Sequence, residues 1–163
     1  MHLFGNFASY LYLYIQLTEN RGALPKGFNQ DRFILNSITV IRDMLRDSKK
    51  KKQLQEIDYT SIPICLAKGA FLGLDFFNGE CYAIPYGGEM KFQTDYKGEI
   101  KLCKRYSKNE IKDIFAKVVR EGDFFEESVD SGVQNVVYKP LPFSNKPLVG
   151  AFAIVVFKDG SML

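Results

Sequence analysis

A chain of 163 residues, 46% hydrophobic and 25% charged, is long enough to bury a core and is not a disordered or fibrous polymer. Its net charge of +3 is too small to identify a partner, so the placement of the charges matters more than their sum. Three scattered cysteines, Cys65, Cys81 and Cys103, with His2 as the sole histidine, argue against a Cys/His zinc site. The odd thiol count fits a reducing cytoplasm better than a disulfide framework.

In chain order, His2 to Leu17 spaces Leu3, Phe7, Tyr10, Leu11, Tyr14 and Ile15 as one side of an amphipathic helix. Asn6, Ser9 and Gln16 interrupt it, and it is short for a membrane span. It has neither the basic leader nor the cleavage site of a signal peptide. Such a helix packs on the body of the protein or on a neighbouring subunit.

Gly22, Pro25, Gly27 and Asn29 mark a linker, after which Asn29 or Asp31 can cap a helix over 32–46. Phe33, Ile34, Ile38, Ile41 and Leu45 form its apolar side. The run Lys49 to Lys52 reads as a solvated loop. Thr60 or Ser61 can cap a helix over 62–72 with Ile64, Leu66, Ala67, Ala70 and Phe71 on its face, ended by Gly73. No Gly-x-x-x-x-Gly-Lys-Ser/Thr phosphate loop occurs anywhere in the chain.

Cys81 to Tyr86 and Glu89 to Asp95 flank Gly87-Gly88, the signature of a tight hairpin whose primed turn needs positive φ. With the glycines as the loop, Tyr86 pairs with Glu89, Ile84 with Lys91 and Tyr82 with Gln93. Cys81, Ala83, Pro85, Met90, Phe92 and Thr94 then share a core face. Tyr82, Ile84, Tyr86, Glu89, Lys91 and Gln93 share a wet face suited to stacking bases.

Tyr96 to Ser107 reads as a helix. Lys97, Lys101, Lys104, Arg105 and Lys108 fall on one face of it within about a hundred degrees of arc, beside an apolar stripe of Tyr96, Ile100 and Cys103. One turn advances about 5.4 Å, comparable to the phosphate spacing of an extended strand. Cations beside stacking rings hold single strands without sequence preference.

Residues 111–120 fit helical spacing yet are rich in β-branched residues, so periodicity leaves helix and strand open. Phe124 to Val129 and Val133 to Lys139 suggest a second hairpin, and 149–158 an apolar strand. The Asp159-Gly160 turn then has no returning strand after it.

A single N-terminal histidine does not suit a histidine-dependent triad. Glu121, Asp123, Glu126, Glu127 and Asp130 could hold magnesium in a metal-dependent nuclease, but lack a diagnostic spacing and also fit an exposed hairpin. A protein-interaction module built on the N-terminal helix and the hairpin is a third class, without DNA binding.

One ordered set of segments resembles the RecT family of phage recombination proteins, and more distantly the Red-beta annealing proteins. It runs Leu24-Pro25-Lys26, Asp31-Arg32-Phe33-Ile34, Gly73-Leu74, Tyr82-Ala83-Ile84-Pro85-Tyr86-Gly87, Phe92-Gln93, Tyr96-Lys97-Gly98 and Val118-Val119-Arg120-Glu121-Gly122-Asp123. The resemblance implies an α+β fold, a small antiparallel sheet with β-hairpins packed against several helices, with 111–120 as a strand. It covers about residues 24–160 and implies a DNA-annealing domain over 23–163, while the amphipathic helix read from spacing sets 1–22 apart as an N-terminal oligomerisation segment. That domain reads as C-terminally incomplete, because the family continues past the Asp-Gly turn.

The resemblance also implies an ATP-independent protein, not an enzyme, that coats single-stranded DNA as a homo-oligomer and pairs it with a complementary strand. A partner exonuclease, a phage or prophage origin and the cytoplasm of a bacterial host go with it. No cofactor is expected, beyond Mg2+ as an aid to annealing, and no membrane. The expected DNA contacts are Lys91, Lys97, Lys101, Lys104, Arg105 and Lys108 for phosphates, with Tyr82, Tyr86, Gln93 and Tyr96 beside the bases.

Overall fold

A computed structural model of the chain describes the backbone of residues 2–163 and the side chains of residues 8–132 and 134–163. It is an α+β fold divided into two compact units, the first ending at Leu102 and the second running Cys103–Leu163.

The first unit begins with α1, His2–Glu19, a 3-10 turn at Arg21–Ala23, and α2, Gln30–Arg46. Asn29 is the cap of α2: its side chain accepts the Arg32 N–H at 2.9 Å. α3, Ser48–Gln55, contains the lysine run that was expected to be a loop. Asp47 caps it by accepting the Lys50 N–H at 2.9 Å, lysine itself is a good helix former, and Leu54 anchors the turn in the core. α4, Ser61–Leu72, ends at Gly73 with φ +63, the left-handed cap expected of glycine.

The apolar faces of α1 and α4 match the spacing in part: Tyr10 of α1 and Leu66, Ala67, Ala70 and Phe71 of α4 lie in or against the core as expected. α1 buries Leu13 and Leu17 completely, while Leu11, Tyr14 and Ile15 stay exposed; Leu3 and Phe7 lie outside the described side chains. α4 buries Ile62, Pro63, Cys65, Leu66, Gly69 and Ala70 and leaves Ile64 exposed. Both helices are apolar on more than one side, so the spacing could not choose a face. The neighbour chooses: α4 packs against α1 on one side and the hairpin on the other.

That hairpin is β1, Cys81–Tyr86, and β2, Glu89–Thr94, with the register read from the Gly-Gly turn: Tyr82 opposite Gln93, Ile84 opposite Lys91, Tyr86 opposite Glu89. Gly87 and Gly88 take φ +61 and +78. Cys81, Ala83 and Met90 are buried in the core that also holds Phe33, Ile41, Leu66 and Phe76. Burial pushes the Cys65 and Cys81 thiols up to about 12.

α5, Tyr96–Tyr106, crosses the division between the units. Its buried side is Gly98 with the half-buried Ile100 and Leu102; of the expected apolar stripe Ile100 is thus covered, whereas Tyr96 and Cys103 are exposed. Lys108 lies beyond the end of the helix.

The second unit continues with four strands. β3 is Ile111–Arg120, β4 is Phe124–Asp130, β5 is Val133–Lys139 and β6 is Leu148–Phe157. The segment that spacing left ambiguous is thus a strand, as the resemblance implied. β4 and β5 form a hairpin, and β3 pairs antiparallel with β6, which returns after it. After the Asp159-Gly160 turn the chain does come back. The Val155 and Leu163 backbones exchange hydrogen bonds at 2.8 and 3.0 Å, where no return was expected.

Candidate nucleic-acid interface

The outer face of the β1–β2 hairpin is built from the bottom by two anchors at its turn. Asp58 N–H donates to the Gly88 carbonyl at 2.8 Å, and Met90 N–H donates to Ser61 Oγ at 2.8 Å. Ser61 therefore holds the hairpin to the start of α4, while Thr60 makes no cap bond and donates instead to Asp58. With the inner face locked in the core, Tyr82, Ile84, Tyr86, Glu89, Lys91 and Gln93 point outward as the register requires. The Tyr86 ring is 75% exposed, enough to offer a stacking surface.

The step from β2 into α5 is governed by Asp95, which sequence reasoning passed over. Its carboxylate accepts the Lys97 N–H at 3.2 Å, and Glu99 N–H donates to its carbonyl at 2.9 Å, the geometry of an N-cap. The same carboxylate takes the Tyr82 hydroxyl, and that bond, with the nearby negative charge, raises the tyrosine above its usual range. One aspartate thus fixes both the start of the helix and the direction of a hairpin tyrosine. The available signal was an aspartate immediately before a helical pattern. Beyond the cap, Tyr96 is 67% exposed, with the Lys97 ammonium 5.9 Å from its ring centre.

The cations of the expected stripe differ in their surroundings. Lys97 makes no ion pair among the described residues. Lys91 pairs with Glu89 on the surface, an exposed pair of little strength. Lys101 is committed inward: it donates at 2.6 Å to Glu80, whose carboxylate also accepts the Asp75 N–H at 2.8 Å. Asp75 in turn accepts from Asn36 at 2.9 Å. Gly98 sits against the Glu80 carbonyl, where a Cβ would collide with the backbone oxygen. In the second unit, Lys104 lies 3.4 Å from Asp113, and the Arg105 guanidinium is 5.9 Å from the Tyr106 ring centre. The structure therefore places Tyr82, Tyr86, Lys91, Gln93, Tyr96 and Lys97 on or beside the outer hairpin face within the first unit, with Lys101 turned to Glu80.

Asp123, one of the five acids considered for a nuclease centre, is occupied as an acceptor. It takes the Leu141 N–H at 2.8 Å and the Arg120 N–H at 2.9 Å, and lies 3.1 Å from the Tyr138 hydroxyl, whose one proton is shared with the Val118 carbonyl at 2.8 Å. Among the described residues no group of three or more His, Cys, Asp or Glu side chains is placed to hold a metal. Nor is any helix among them long and apolar enough to cross a membrane.

Exposed tyrosines interleaved with lysines are the features of proteins that bind single-stranded nucleic acid through charge and stacking. The profile of the RecT family matches residues 31–163, and the chain belongs to that family of phage recombination proteins, which bind single-stranded DNA and anneal it. No curated protein sequence matches the chain.

Proposed function

We propose that this chain anneals complementary DNA strands without ATP, holding one strand along the outer face of the β1–β2 hairpin and the start of α5. The observation that carries this is the hairpin register, which turns Tyr82, Tyr86, Lys91 and Gln93 to one exposed face, with Tyr96 and Lys97 following after the Asp95 cap. Lys97 and Lys91 neutralise phosphates; Glu89 releases Lys91 at little cost because the pair is exposed. Tyr86, Tyr96 and Tyr82 stack on or space the bases, and Gln93 hydrogen-bonds beside them. Lys104, Arg105 and Lys108 add phosphate contacts farther along the chain.

Phosphate contacts carry no sequence information and leave base edges free, so a second strand can pair while the first is held. Base pairing supplies the specificity and no nucleotide hydrolysis is needed, in keeping with the missing phosphate loop. Mg2+ acts here only by screening repulsion between strands. Copies of the chain along the strand, and an exonuclease that exposes it, complete the setting in a bacterial cytoplasm.

Titration of a fluorescent single-stranded oligonucleotide at several salt concentrations tests this. Binding should weaken steeply with salt, and a labelled complement should join the bound strand faster than it joins free strand. Binding that ignores salt, or no acceleration of annealing, would falsify the proposal. Degradation of the strand in magnesium would favour a nuclease instead.

A further inference from the structure

The second unit displays an aromatic ring that its own fold does not use. The loop 140–147 joins β5 to β6 and contains Pro140, Pro142 and Pro147. Ser144 N–H donates to the Leu141 carbonyl at 3.4 Å, closing a turn with Pro142 and Phe143 at its centre. Phe143 takes φ +57. Proline followed by a residue of positive φ is the type II pattern, in which glycine normally fills the position that Phe143 holds. The Phe143 side chain is 102% exposed. A bulky residue in left-handed backbone, contributing no burial, opposes folding at that position, and glycine would serve the turn better.

The loop backbone that carries the ring is nevertheless tied at three points. Asp123 accepts the Leu141 N–H at 2.8 Å, Glu121 N–H donates to the Pro147 carbonyl at 3.0 Å, and the Arg120 guanidinium donates to the Lys146 carbonyl at 2.7 Å. The backbone under Phe143 therefore has little freedom to lose when something stacks on the ring. Cations outnumber acids around the loop: Lys139 precedes it, Lys146 lies in it and Arg120 reaches its end, against the carboxylates of Glu121 and Asp123 in the turn to which it is tied. An apolar protein pocket would accept the ring but gain nothing from those cations. A nucleobase on a phosphate backbone matches both.

We propose that Phe143 is a base-stacking wedge: its ring stacks on or between the bases of a single strand while Lys139 and Lys146 lie near the phosphates. This rests on the proposed single-strand binding but uses no residue of the hairpin face.

The test uses the full chain with Phe143→Gly and Phe143→Trp, and an oligonucleotide carrying the fluorescent base 2-aminopurine. Phe143→Gly should melt at the same temperature or higher, because strain is relieved and no contact is lost. Its affinity for the oligonucleotide should fall roughly 5- to 100-fold, with the salt slope unchanged, because stacking and not charge is removed. The 2-aminopurine signal seen with the wild-type protein should change with it, and Phe143→Trp should restore both. Unaltered affinity in Phe143→Gly overturns the wedge and leaves the hairpin proposal standing. A lower melting temperature overturns it in favour of a folding role. A change in assembly size without a change in affinity overturns it in favour of a protein anchor. Wild-type protein that binds no oligonucleotide overturns the single-strand proposal, and the wedge with it.

Discussion

Lys97 and Lys101 lie one helical turn apart on α5, yet their surroundings differ, and the proposed function gives them different roles. Lys97 makes no ion pair among the described residues and lies 5.9 Å from the Tyr96 ring centre, whereas Lys101 is bound to Glu80 at 2.6 Å within the Asp75 and Asn36 network. The slope of log affinity against log salt counts the phosphates neutralised, at about 0.7 per contact on a single strand. Lys97→Met should therefore lower that slope by about 0.7 with little change in stability. Lys101→Met should leave the slope unchanged and cost about 1 kcal/mol of stability, read from urea melts. Equal slopes for the two variants would contradict this division. Gly98 makes a related point about steric space. Alanine there would gain up to about 1 kcal/mol of helix propensity, but its Cβ would strike the Glu80 carbonyl, which has no rotamer to escape into. The collision should win, and Gly98→Ala should lose about 1–2 kcal/mol in a urea melt.

At the scale of elements, what could be read from the chain depended on how local its cause was. The hairpin register followed from two glycines and strict alternation, and β1–β2 pairs accordingly. The α2 cap and the left-handed stop at Gly73 are equally local. Helix faces were most legible where polarity was uneven: α2 buries Phe33 and Ile41 as its spacing suggested, although Leu45 stays exposed, whereas α1 and α4 carry apolar residues all round, and tertiary neighbours added Leu13, Leu17, Ile62 and Cys65 to the expected Leu66 and Ala70. The partners of the cations were not legible, because Glu80 and Asp113 meet Lys101 and Lys104 only once the loops are folded.

Asp123 is a further long-range case, tying the β3–β4 turn to the loop before β6. The Leu141 N–H first and the Arg120 N–H second, with the Tyr138 hydroxyl, hold its carboxyl below the usual carboxylate range. The folded state thus favours the ionised form. The anchoring is complete above the unfolded carboxylate pKa of about 3.9 and is lost as pH falls through the lower folded value. The Leu141 amide proton resonance should accordingly titrate below about pH 4 in the wild-type protein and stay flat in Asp123→Asn. A titrating Leu141 amide in the variant would point to another carboxylate.

Across the whole molecule the two units differ in what stabilises them. The contiguous core, from Leu13 to Met90, lies within the first unit, whereas in the second Val119 alone is a buried hydrophobic among the described residues. Val129, Leu148, Val149 and Leu163 are each exposed there, so β3–β6 and β4–β5 rest mainly on strand hydrogen bonds and on the contacts of Phe152 with Phe125 and Tyr138, at 5.3 and 5.2 Å. Backbone pairing with so little buried apolar surface sits at the low end of local stability. Native-state hydrogen exchange should therefore separate two tiers, with β4–β5 amides opening well before those of α2 and α4. A chain ended after Ser107 keeps all of the core and the whole of α5, so it should still unfold in a single cooperative urea transition at nearly the same midpoint. Simultaneous exchange in both units, or a broad transition in the shortened chain, would show that the second unit supports the first.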